Sequence, residues 1–132
     1  MKYVPLIGRI LFSMIFVSSG LNHIFKLGEI SQYTEAMGVP LPTVATLVTG
    51  LMLLAGGLGI LLGYKVKIGA ILLVVFLIPA SFIAHAFWIV EDAMQSQMQM
   101  IMFMKNISMT GAALIFYYFG TGPLSIEKQA EK

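Results

Sequence analysis

Cysteine is absent from the 132-residue chain, which excludes disulfides, thiol relays, iron–sulfur clusters and covalently attached haem. Charge is scarce. Asp, Glu, Lys and Arg together contribute 11% of the residues, and the formal net charge is +2. The basic residues are dispersed and form no stripe, so nothing marks a nucleic-acid partner. Hydrolytic and phosphate-handling constellations are missing as well: there is no nucleophile elbow, no glycine-rich phosphate loop and no run of metal-ligating side chains. Histidine occurs only at His23 and His85. What is abundant is apolar character. Hydrophobic residues make up 58% of the chain and the mean hydropathy is +0.90, values outside the range of small water-soluble domains. The chain reads as a single integral membrane domain, residues 1–132.

Four apolar stretches can cross a bilayer, approximately residues 4–25, 41–63, 68–88 and 97–120. The first, Val4–Phe25, covers about 33 Å at helical rise. Arg9 interrupts what would be the apolar centre of a signal peptide, and three spans follow, so this segment is read as a retained span. Along it Arg9, Ser13, Phe16, Gly20 and His23 recur at steps of four and three and share one face, which Ser19 and Lys26 extend. A stripe of small and polar residues turns toward neighbouring helices. Residues 27–42 form a connector, with a short helix on the membrane surface expected over Glu29–Met37. In the second span Ala55, Gly59 and Gly63 lie four apart, a ridge that lets another helix, including one from a second copy of the chain, approach closely. Tyr64–Lys67 makes a tight basic turn, and Pro79 predicts a kink in the third span. The tail after Gly120 is polar and is expected to fray.

An even number of spans places both termini on one side. Lys2, Arg9, Lys65, Lys67, Lys128 and Lys132 fall on that side, whereas the other carries Lys26, the membrane-embedded Lys105 and mostly acidic loops. The positive-inside rule then gives an N-in, C-in all-α four-helix bundle. Asn22, His23, Lys26, His85, Glu91, Asp92, Lys105 and Asn106 consequently gather in the outer third of the membrane or just above it. Lys105 and Asn106 lie about a third of the way into QMQMIMFMKNISMTGAALIFYYFG. An amine and an amide in hydrocarbon each carry a free-energy penalty unless something receives them. Asn22, His23, His85, Lys105 and Asn106 are therefore the candidate polar pocket, with Arg9 an isolated intramembrane charge at the opposite end.

Each residue also has a plainer reading. Arg9 can snorkel into the cytoplasmic headgroups and Lys105 toward the outer ones, while Glu91 and Asp92 read as a solvated loop. Met94, Met98 and Met102 share a helix face and thioethers bind Cu(I), but Met100 and Met104 point elsewhere, and flexible packing is the preferred explanation. His23 and His85 could bracket a haem b in a helical bundle; with two histidines near the membrane edge, that reading is subordinate.

Several segments together, in order, resemble the DoxX family of small four-span bacterial membrane proteins: GRILFSMIFVSSGLNHIFKL, AMGVPLP, GGLGILLG with its basic turn, HAFW, and above all MFMKNISMTGAALI. The resemblance covers nearly the whole chain. It implies kinship with the small subunit of a thiosulfate:quinone oxidoreductase and a role beside redox or detoxifying enzymes. By that similarity Arg9, Gly20, Lys105 and Asn106 match positions the family pattern favours. His23 stands where many members carry lysine, and Leu53 where many carry glutamate, which removes one intramembrane partner for a cation.

The expectation is thus a multi-pass protein of the bacterial cytoplasmic membrane, serving as a small subunit or accessory of a quinone-linked redox or stress system. A quinone headgroup needs hydrogen-bond donors beside an apolar slot, which His23, His85, Lys105 and Asn106 among apolar helices supply. Catalysis is expected only in company with a larger enzyme. The competing reading is a non-enzymatic assembly factor, or a binder of a small apolar solute or lipid.

Overall fold

The structure is a computed structural model and describes residues 1–127; Lys128 and Lys132, counted above among the basic side, lie outside them. The elements are α1 (Tyr3–Phe25), α2 (Leu27–Ala36), α3 (Pro42–Leu62), α4 (Val66–Ala84), a short 3₁₀ turn (Phe87–Ile89) and α5 (Ala93–Phe119). Among the described residues no strand occurs, and α1, α3, α4 and α5 are long and apolar enough to cross a membrane. Neighbours in sequence are neighbours in space: α1 packs on α3, α3 on α4 and α4 on α5, while α2 lies against α3 and α1. The α1 and α5 helices meet through side chains, with the Phe12 and Phe116 rings 5.0 Å apart.

The buried residues of α1 are Arg9, Ser13, Phe16 and Gly20, the stripe read from its periodicity. Gly20 matters because α1 and α3 nearly touch there. A Cβ on Gly20 would sit 2.9 Å from the Gly50 carbonyl oxygen, and one on Gly50 would sit 2.6 Å from the His23 Cβ. Only hydrogen at both positions allows this approach. The core continues inward through Phe16, Leu53, Ile60, Ala70, Leu73 and Leu77. The ridge of small residues is largely used within the chain. Gly59 faces the Tyr64 carbonyl and Gly69, Gly63 is buried against Ser125, and Ala55 remains exposed.

Helix ends differ from expectation for local reasons. The third span stops at Ala84 because His85 leaves helical geometry at φ −125° and ψ 43°. Trp88 belongs instead to the 3₁₀ turn, where its ring contacts Phe82, Phe87 and Phe103 at centroid distances of 6.0, 5.2 and 5.8 Å. The polar glutamines before Met98 extend α5 back to Ala93 beyond the apolar stretch. The connector helix is more than a surface element: it starts directly after α1 and buries Ser31.

The tail does not fray over its described part; it folds back as a strap. Arg9 Nη1 donates to the Thr121 and Pro123 carbonyls at 3.1 and 2.8 Å and to Ser125 Oγ at 3.0 Å, and Nη2 donates to the Leu124 carbonyl at 2.8 Å. Ile126 and Glu127 then donate backbone N–H groups to the Leu62 and Gly63 carbonyls at 2.9 and 3.0 Å. The Glu127 carboxylate accepts from the Lys65 N–H at 2.7 Å. Arg9 is 1% exposed, so its cation is received inside the protein and does not snorkel to headgroups. A guanidinium has enough donors to satisfy several backbone carbonyls at once, and burial makes that arrangement preferable to lipid. These contacts also bring both ends of the described chain to one face of the bundle.

Candidate functional site

At the opposite end of the bundle lies a cavity of about 420 Å³. Its wall is mostly apolar, with Ile15, Met52, Leu53, Phe76 and Ile83 prominent, and its polar groups come from distant parts of the chain. His23, His85, Lys105 and Asn106 all line it. Asn22 does not: it is exposed, about 100° round α1 from His23, and its carbonyl accepts the Lys26 N–H at 2.8 Å where the helix ends. Arg9 is committed to the strap and plays no part in this cavity. Ile15, Tyr33, Val75, Ile83 and Lys105 line the cavity while remaining exposed, so it communicates with the surroundings of the bundle.

His23 is fixed from α3. Its Nδ1 lies 3.2 Å from both the Thr46 carbonyl and Thr49 Oγ1. A carbonyl only accepts, so Nδ1 carries the proton. Thr49 Oγ1 donates its own proton to Ala45 O at 2.8 Å, with Thr46 O a second acceptor at 3.1 Å, which leaves its lone pairs for the imidazole N–H. The ring also meets Phe76 edge-on, with centroids 6.4 Å apart. His85 is held the same way from α5, with Nδ1 2.7 Å from the Gln99 side-chain oxygen. Sequence reasoning missed Thr46, Thr49 and Gln99. Gln99 had a signal, because Asn106 follows it by seven residues and shares its helix face.

Asn106 is 5% exposed and its side-chain amide makes no hydrogen bond to the described residues, so its polar capacity is open to the cavity. Lys105 Nζ rests 3.4 Å from Met102 Sδ, a weak acceptor, and pairs with neither Glu91 nor Asp92, both of which are exposed. Leu53, where the resemblance anticipates an acid, is in the same wall and contributes only hydrocarbon. The α2 helix supplies Ile30, Tyr33 and Thr34 to the cavity, with Met37 just past its end, and Thr34 Oγ1 lies 3.0 Å from Thr46 Oγ1, tying this wall to the turn that holds His23. Pro79 also lines the cavity and donates no N–H to the Val75 carbonyl one turn earlier.

A family model, DoxX, matches residues 4–86. The chain belongs to the DoxX family. Two curated relatives match this DoxX protein over most of both chains. Inner membrane protein YqjF of Escherichia coli (strain K12) is 33% identical over 130 residues, covering 96% of this chain and 92% of the relative. Inner membrane protein YphA of the same strain is 29% identical over 125 residues, covering 94% and 88%. No solved structure gives a significant match. Four membrane-length helices and inner-membrane relatives make this DoxX protein a multi-pass inner membrane protein.

Proposed function

We propose that this DoxX protein holds the headgroup of a membrane-dissolved quinone, as a small membrane subunit or accessory of a quinone-linked redox or stress system. In this reading both termini face the cytoplasm, and the cavity reaches from the outer end of the bundle to its middle, where Ile15, Leu53 and Phe76 line it. One observation carries the reading: His23 from α1, His85 just past the end of α4, and Lys105 and Asn106 from α5 converge on a single cavity of about 420 Å³ with apolar walls. That size suits a small ring, and convergent polar groups in an apolar cleft fix a ligand's orientation. The Lys105 ammonium and the open Asn106 amide are donors suited to carbonyl oxygens, and the exposed apolar lining residues offer a path for a hydrocarbon tail.

The test is a solvent extract of the purified protein, examined by chromatography and absorbance. A co-purifying quinone is expected, and Lys105→Met should lose it with an unchanged elution profile and melting temperature. A wild-type extract free of quinone and quinol, together with no binding of either when added, overturns the reading. So does a Soret band, which would mark haem. A phospholipid in place of quinone selects the second reading, a lipid or solute binder, which the predominance of hydrocarbon in the wall favours.

A further inference from the structure

The cavity's two imidazoles are wired alike, and the wiring sets what they present to a ligand. His23 Nδ1 faces the Thr46 carbonyl and Thr49 Oγ1 at 3.2 Å, and His85 Nδ1 faces the Gln99 amide oxygen at 2.7 Å. In each case the partner is an acceptor, so each Nδ1 is a donor. A neutral imidazole then has a single nitrogen left, Nε2, which bears a lone pair and no proton. Both rings line the same cavity. The cavity therefore offers two aromatic-nitrogen acceptors along with the Asn106 amide and the Lys105 ammonium.

A quinone carries only acceptors. Lys105 and Asn106 can serve one of its carbonyls, but an imidazole lone pair set against a carbonyl lone pair gains nothing and stays unpaired. A quinol carries two O–H donors on the same ring. Its hydroxyls can donate to the two Nε2 atoms while their oxygens accept from Lys105 or Asn106. We infer that the site is selective for the reduced, hydroxylated form: His23 and His85 are the specificity-determining residues, and Gln99 and Thr46 position them by holding the Nδ1–H tautomer. The inference rests on the quinone-class reading above and adds to it which redox form is preferred. It ascribes only binding to this chain. A site whose acceptors are left unpaired discriminates against the analogue lacking the hydroxyl.

The decisive experiment compares ligands on the unaltered protein in lipid nanodiscs under anaerobic conditions. The probes are a short-tailed benzoquinone, its quinol and the quinol's dimethyl ether, which keeps the ring and both oxygens but has no O–H donors. The quinol is expected to bind at least about fivefold more tightly than either of the others, because one net hydrogen bond is worth roughly that factor. His23→Leu and His85→Leu should each remove most of the quinol's advantage over the quinone. Gln99→Leu should shrink it through the tautomer, and ¹⁵N spectra of histidine-labelled protein should show protonated Nδ1 and bare Nε2 on both rings before that change. Equal affinity for quinol and quinone, or tighter binding of quinone, overturns this inference and leaves the quinone-class reading standing. Binding of none of the three probes overturns both.

Discussion

Replacing Arg9 by methionine keeps the apolar stem of the side chain and removes the guanidinium that holds the strap. Its guanidinium makes four hydrogen bonds, to Thr121, Pro123, Leu124 and Ser125. Bonds involving a charged group contribute about 1.5–3 kcal/mol each, so together roughly 6–12 kcal/mol. The Ile126, Glu127 and Lys65 N–H bonds add about 1 kcal/mol each. Ordering the backbone of Thr121–Glu127 opposes this by roughly 1–2 kcal/mol per residue, or about 7–14 kcal/mol in all. The two sides nearly cancel with Arg9 present, and without it the strap has no means of staying closed. Leaving three carbonyls without their donor costs about 1–3 kcal/mol each, so about 3 kcal/mol at least, and 1.4 kcal/mol is a factor of ten. Amide hydrogen exchange at Ile126 and Glu127 in Arg9→Met should therefore accelerate at least about a hundredfold. The amides of Leu53 and Leu73, deep in the bundle, should keep their protection, and near-wild-type ligand binding should persist at the far end. Unchanged protection of Ile126 and Glu127 in the folded variant would refute the assignment of Arg9 as the clasp.

Gly63→Ala should open the same strap by another route. Its φ of +70° disfavours a side chain, and the new Cβ would collide with Ser125; faster exchange at Glu127 is the readout. Gly50→Ala places a methyl group 2.6 Å from the His23 Cβ, which should destabilise the bundle by about 1–3 kcal/mol through overpacking. It should also move His23 off Thr46, seen as a lost Nδ1–H signal by NMR. The absence of cysteine permits a clean orientation test with single-cysteine variants in intact cells. Asp92→Cys should react with a membrane-impermeant maleimide and Lys67→Cys should not, and the opposite pattern inverts the proposed topology.

Much of the architecture was readable because bilayer physics constrains it tightly. Four apolar runs of sufficient length demand four helices, and a step of three and four residues from Arg9 to Gly20 correctly picked the buried side of α1. The gathering of His23, His85, Lys105 and Asn106 could be anticipated from depth alone, since topology fixes level along the membrane normal. Direction round a helix is harder. Asn22 sits at the right level and faces away, one residue off the stripe. The reception of Arg9 was invisible for a different reason: three of its acceptors are backbone carbonyls, which every sequence offers, so nothing in Thr121–Leu124 advertises the role. Gln99 was obscured by the methionines around it, though its spacing to Asn106 was there to be read. The connector, taken as a surface piece for its polarity, became a wall of the cavity because Ile30, Tyr33 and Met37 lie on one side of a short helix.

The Arg9 clasp joins residues separated by more than a hundred positions, with sequence distances of 112 to 116. During synthesis the first helix enters the bilayer long before the ribosome has made the segment that will accept its charge. Until then the guanidinium needs a temporary host, such as water, phosphate groups or the insertion machinery. Maturation therefore completes end to end, and truncating the last dozen residues should be felt first in the helix that was made earliest.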